Sequence, residues 1–239
     1  MKKNILIFGS EGLIGQAICS FLSNGYNVFR VDNKLIKNQF YYRCNINSDN
    51  EIKKLFKHYK RKKIFFSSII NVSYPKSKVL KNSFLEFNVL NFKKNLTNHL
   101  VPFYSILINS YKYYINQKKS GQIISFSSIY GTKVPNFNIY KNTEIKSPIY
   151  YSAAKASIII LSNYFAKWSR FNKKNIFFTC VSPAGVRNNQ SNQFQKNYEL
   201  IYKNKMLEKE DIAKQIKKII INPKKYSEKN ILITNRIVI

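Results

Sequence analysis

The run Asn4-Ile5-Leu6-Ile7-Phe8, followed at once by Gly9-Ser10-Glu11-Gly12-Leu13-Ile14-Gly15, constrains this chain more than any other feature. An apolar segment of strand length, a turn with glycine at every third place and an amphipathic stretch from Gln16 to Ser23 make a strand–turn–helix unit. The glycines permit a tight turn and close backbone approach, and the helix behind them offers free N–H groups and the positive end of its dipole to a pyrophosphate. Three of the chain's seven glycines are used in this one turn. Gly9, Glu11, Gly12, Leu13, Ile14 and Gly15 are therefore candidate dinucleotide-binding residues.

A second strand, Asn27 to Val31, ends at Asp32, seventeen residues beyond Gly15. An acid there accepts the ribose hydroxyls of a dinucleotide and repels a 2′-phosphate. With Glu11 inside the turn, the expected cofactor is NAD(H); Arg30 and Lys34 keep NADP(H) open. Strands and helices then alternate: Tyr41 to Ile46 as a strand, Ile52 to Tyr59 as a helix begun by Ser48-Asp49-Asn50-Glu51, and Ile64 to Val72 as a strand stopped at Asn71-Val72-Ser73-Tyr74-Pro75. Ser77 to Lys119 has a mostly helical pattern, with Phe84 and Phe87 in its first half. Gln122 to Phe126 and Asn175 to Val181 read as strands, Tyr151 to about Phe171 and Glu208 to Ile221 as helices, and Asn230 to Thr234 as the last strand. The expected fold is α/β: one Rossmann domain over 1–239, a doubly wound parallel sheet of about seven strands flanked by helices. Ligands of such sheets bind at the strands' C-terminal ends.

Composition narrows the partners. The formal charge of +30 comes from 41 basic and 11 acidic residues spread along the chain. A dispersed excess fits a field that draws in small anionic substrates better than a nucleic-acid footprint, which needs clustered Lys and Arg. Cys19, Cys44 and Cys180 are widely spaced and only two histidines are present, so neither a disulfide framework nor a metal site is expected. No apolar stretch reaches membrane-spanning length and no signal-type segment follows Met1-Lys2-Lys3. A cytoplasmic protein without membrane contact is expected.

Tyr151 and Lys155, four apart on one predicted helix, lie a turn from each other on the same face. A fixed cation beside a phenol stabilises the phenolate and suits it to proton transfer. Tyr114 and Lys118 have the same spacing, but only the helix at Tyr151 follows a strand ending in Ser127-Ser128. The polar run Asn188 to Asn197 suits a mobile loop and short helix over a site.

In this order, Gly9…Gly12…Gly15, Asp32, Asn45-Ile46, Asn71, Ser127-Ser128, Tyr151…Lys155 and Pro183-Ala184-Gly185-Val186 resemble the short-chain dehydrogenase/reductase family over nearly the whole chain. The resemblance implies an NAD(P)-dependent oxidoreductase. It makes Tyr151 the acid/base, Ser128 the residue that orients the substrate oxygen, and Lys155 the holder of the nicotinamide ribose. It places a relay asparagine at Asn98, with Asn95 as the alternative one turn earlier. Asn45, Ile46, Asn71, Val72, Pro183, Gly185 and Val186 join the cofactor set with Tyr151 and Lys155, and family members commonly form homodimers or homotetramers through two long helices.

Ser128 and Tyr151 are 23 residues apart, which leaves an extra stretch, 132–150, beside the substrate mouth. With Asn138-Ile139-Tyr140 and the later segment 186–207, it resembles members found in bacterial flagellin and surface-glycan sugar pathways. The implied substrate is a small sugar or nucleotide-sugar whose hydroxyl and keto forms are interconverted. The competing readings are a catalytically idle Rossmann-type binding protein and, from charge alone, a nucleic-acid binder.

Overall fold

The computed structural model describes residues 2–75 and 88–235. Seven parallel strands form one sheet in the order β3-β2-β1-β4-β5-β6-β7. They are β1 (Lys3–Phe8), β2 (Tyr26–Asp32), β3 (Tyr41–Arg43), β4 (Phe66–Asn71), β5 (Gly121–Phe126), β6 (Ile176–Pro183) and β7 (Lys229–Ile233). The helices are α1 (Leu13–Ser23), α2 (Asp49–Arg61), α3 (Val89–Gln117), α4 (Ile149–Phe171), α5 (Asn192–Tyr202), α6 (Lys209–Ile221) and the short α7 (Pro223–Tyr226). Strand order reverses between β1 and β4, which makes the ends of those strands the switch point where a doubly wound sheet binds its ligand.

Alternation along β1 builds both cores. Ile5 and Ile7 pack with Ile18 and Leu22 of α1 and with Ile212 and Ile216 of α6, while Leu6 and Phe8 face Ile52 and Leu55 of α2, Tyr113 of α3 and Ile158 of α4. A strand buried on both faces reads as a continuous apolar run, as this one does.

Several boundaries differ from the sequence reading. β3 stops at Arg43: the Cys44 amide donates to Asp32 O and the chain then turns away, so Asn45 and Ile46 lie beyond the strand. α4 begins at Ile149, directly after Pro148, where a proline needs no amide partner. Helix within 77–119 is described from Val89; Phe84 and Phe87 lie outside the described residues.

The extra stretch before α4 folds through 3-10 turns at Ile129–Gly131 and Phe137–Tyr140. Ile139 packs with Phe194, Tyr198 and Met206 into a third apolar cluster. Asn197 of α5 donates to Ile139 O and Lys141 O, and Val186 pairs with Leu207. The short helix expected within Asn188 to Asn197 is present as the start of α5, and it is tied to the insertion by packing and hydrogen bonds. Among the described residues no helix is long and apolar enough to cross a membrane.

Candidate active site

The glycine turn ends β1 and starts α1, and its three glycines face different surroundings. Gly9 has φ +78°, and a Cβ there would stand 2.5 Å from Ser73 Cα. A Cβ on Gly15 would stand 2.1 Å from Gly9 O. At Gly12 the nearest neighbour would be 3.4 Å away. Gly9 and Gly15 are small because the protein packs on them; Gly12 is small on a side the protein leaves open. No side chain caps α1 and its first turn carries no acid, so its positive end suits a pyrophosphate. The residues present fit a dinucleotide.

Asp32, at the end of β2, accepts from the Glu11 amide at 3.0 Å and from the Asn33 amide at 2.8 Å. The Glu11 carboxylate is 6% exposed, takes a hydrogen bond from Ser10 and pairs with Arg30 at 2.5 Å. Arg30, which with Lys34 kept a 2′-phosphate open, is thereby paired with Glu11. Asn71 closes β4 by accepting from the Ser73 amide and hydroxyl, which holds the β4 loop against Gly9. Asn45 is exposed, and its side-chain oxygen accepts from the Asn47 amide.

A cavity of about 970 Å³ opens over the sheet. Its lining joins Ile14, Val72, Pro183, Gly185 and Val186 to Ser128, Tyr151 and Lys155. The insertion contributes Phe137, Tyr140, Lys141 and Lys146, and the segment 186–207 contributes Gln190, Phe194, Tyr198 and Met206. Ser127 and Ser128, equal in sequence, part company here. The Ser127 hydroxyl donates to Lys155 O at 2.7 Å and pins β5 to α4, whereas Ser128 faces the cavity within hydrogen-bonding reach of the Tyr151 phenol.

Burial raises the pKa of Tyr151, and the bond to Ser128 opposes that rise. The Lys155 ammonium is 5.7 Å from the centre of the Tyr151 ring and donates to Phe126 O at 3.2 Å. Burial pushes Lys155 down to about 8. The expected depression of the phenol by a fixed cation is not met in this state, because Lys155 is aimed at a carbonyl and is itself desolvated. The decoy pair is resolved: Tyr114 is fully buried and donates to Gln122 O, and Lys118 ends α3 in a left-handed conformation.

The two asparagine candidates lie differently on α3. Asn98 is exposed on α3, whereas Asn95 and His99, four residues apart and so one above the other on the helix, face inward. Asn95 is buried, with its amide donating to Asn91 O. His99 shares the inward face and its ring lies between Tyr74 and Tyr150. Spacing alone singles out neither His99 nor Tyr74; the available signal is that a rare histidine falls four residues after Asn95. Another unforeseen group is the phenol cluster of the substrate side, where Tyr130 hydrogen-bonds both Tyr140 and Tyr202.

Residues 5–221 match the NAD dependent epimerase/dehydratase family. The chain is 28% identical over 233 residues to post-translational flagellin modification protein A of Campylobacter coli, covering 89% of this chain and 88% of that protein. Among solved structures it superposes on a short chain dehydrogenase from Leptospira borgpetersenii with bound NAD+ at a TM-score of 0.83, with 24% identity and coverage of 98% and 92%. It also superposes on ElxO with NADP bound at a TM-score of 0.72, with 19% identity and coverage of 98% and 97%. A dinucleotide-type glycine turn under an uncapped helix, opposite a serine–tyrosine–lysine group, now has its context: the chain belongs to the NAD dependent epimerase/dehydratase family.

Proposed function

We propose that the protein interconverts a hydroxyl and a keto group on a sugar or nucleotide-sugar used in surface-glycan synthesis, with NAD(H) as the preferred cofactor. The observation that carries this reading is the Ser128–Tyr151 contact on the cavity wall beside Lys155. Tyr151 gives its proton to the substrate oxygen in reduction and takes it back in oxidation. Ser128 orients that oxygen, and Lys155 keeps its ammonium near the phenol ring, 5.7 Å from its centre. A nicotinamide, when bound, supplies or accepts the hydride. Gly12 and the start of α1 would hold its pyrophosphate, Asp32 a ribose, and Val72 with the Pro183–Val186 segment its nicotinamide end. Asn45 and Ile46 would border the adenine side.

The substrate class rests on the flagellin-modification relative and on the cavity wall. Aromatic faces at Phe137, Tyr140 and Tyr198 suit a sugar ring, and Lys141 with Lys146 suits an anionic group. The preference for NAD(H) rests on Asp32 and on the engagement of Arg30 by Glu11. We further propose that Val101 and Tyr104 of α3 with Ile160, Tyr164 and Trp168 of α4, all exposed, meet a second copy of the chain.

The decisive experiment is turnover of a nucleotide-sugar panel with NAD+ or NADH, comparing wild type with Tyr151→Phe. Loss of turnover by about 10³-fold at unchanged NADH affinity supports the reading, and full turnover in Tyr151→Phe would falsify it. In a titration followed by nicotinamide fluorescence, NADH is expected to bind at least about tenfold tighter than NADPH, a gap of about 1.4 kcal/mol; the reverse order overturns the cofactor preference.

A further inference from the structure

Beside the large cavity lies a second of about 10 Å³, lined in part by Asn71, Ser73, Tyr74, His99, Tyr151 and Lys155. That is room for roughly one water, which needs two to four polar partners to stay. His99 is 5% exposed. Its ring is held at 4.7 Å from that of Tyr74 and at 5.6 Å, nearly parallel, from that of Tyr150, so its direction is fixed by packing. Among the described residues its Nε2 is buried without a hydrogen-bond partner. A buried nitrogen left so keeps the full penalty of its lost hydration, and a water in this cavity removes that penalty.

Lys155 supplies the other end. Its ammonium has three protons, and Phe126 O accepts one of them. Burial first, and the Lys155 charge second, push His99 down to about 4. The imidazole is neutral near pH 7 and one of its nitrogens is an acceptor.

We propose that His99 is a positioning residue for proton transfer: in the Nδ1–H tautomer its Nε2 accepts a hydrogen bond from a water in this cavity, and that water accepts one from the Lys155 ammonium. The inference rests on the reading of Tyr151 as the proton donor. In reduction the substrate carbonyl gains a hydride at carbon, from the nicotinamide cofactor, and the Tyr151 proton at oxygen. The phenolate left behind regains a proton from the Lys155 side, and the water held by His99 returns one from solvent to Lys155. In oxidation each proton runs the other way. Asn98, exposed on α3, takes no part in this path.

The chain has two histidines, His58 and His99, so protein labelled with ¹⁵N-histidine gives two imidazoles, assigned with His58→Gln. At pH 7 the His99 Nε2 is expected at the shift of an unprotonated, hydrogen-bonded nitrogen, and Lys155→Met is expected to move that resonance and to raise the titration midpoint of His99. A protonated Nε2, or a resonance unmoved by Lys155→Met, overturns the proposal without any substrate in hand. On a substrate that wild type turns over, His99→Leu is expected to lower kcat at least about tenfold with NADH affinity within twofold, and His99→Asn, which keeps an acceptor, to recover a third or more of the rate. Equal loss in both variants, or loss in neither, counts against a positioning role. Full turnover in Tyr151→Phe instead removes the proposed acid/base and leaves the nitrogen resonances to report on the water site separately.

Discussion

A methyl group placed on Gly15 would lie 2.1 Å from a backbone oxygen, and one placed on Gly12 would lie 3.4 Å from the nearest atom. Substitution at the two positions is therefore expected to fail in different ways. Gly15→Ala should lower the melting temperature, since backbone cannot move aside cheaply. Gly12→Ala should fold with nearly the wild-type melting temperature and lose NADH affinity about tenfold or more, as read by fluorescence titration; equal destabilisation of the two would remove the distinction. His99 makes a separate test through pH. Its folded midpoint, pushed down to about 4 by burial and then by the Lys155 charge, lies below the ordinary histidine value of about 6.5, so as pH falls the unfolded chain binds the proton first and native stability is lost between about 6.5 and 4. Lys155 is the charged group that faces it, beside the rings of Tyr74, Tyr150 and Tyr151. His99→Asn is expected to flatten the fall in melting temperature from pH 7 to 4.5; an unchanged slope assigns the acid loss elsewhere.

Helix ends in this glycine-poor chain are closed in an uncommon way. Lys63, Lys118, Lys173 and Lys203 follow or end α2, α3, α4 and α5 with φ between 49° and 54°. Glycine is the usual occupant of that left-handed place, and a side chain there costs roughly 1–2 kcal/mol. The lysine charge recovers part of the cost by sitting at the negative end of the helix dipole. Replacing Lys118 or Lys173 by glycine is expected to raise stability by about 0.5–1 kcal/mol each, measured by denaturant melts, and a loss of stability would show that the charge matters more than the backbone. At the other end of α2, Asp49 accepts from Ser105 and Asn109 of α3 and pairs with Lys53. Those partners hold its carboxyl down at about 2, so the contribution is present above its ordinary pKa and is lost as pH falls through about 2.

Across the whole molecule the net charge of +30 repels itself and attracts anions. NADH association is expected to slow by about tenfold between 20 and 300 mM salt, followed by stopped-flow quenching; a salt-independent rate would show that the cavity lacks a steering field. The exposed apolar residues of α3 and α4 should make sedimentation concentration-dependent, with Trp168→Glu shifting the protein toward monomer if a second copy covers this face.

The residues that were legible in advance share one property: their meaning is local. β1 reads from its unbroken apolar run, the turn from its glycines, and Tyr151 with Lys155 from helical spacing after a serine-ended strand. Nothing local separates Ser127 from Ser128, Asn98 from Asn95, or Arg30 as a phosphate contact from Arg30 as a partner of Glu11. Those choices depend on which way a side chain points once α3, α4 and β5 have packed, and the same packing buries His99 beside Lys155. The sequence by itself determined the alternation, the sheet and the place of the glycine turn, because periodicity and backbone freedom are written residue by residue. Only the tertiary structure decided which polar groups meet in the buried site, because burial and direction belong to the packed whole.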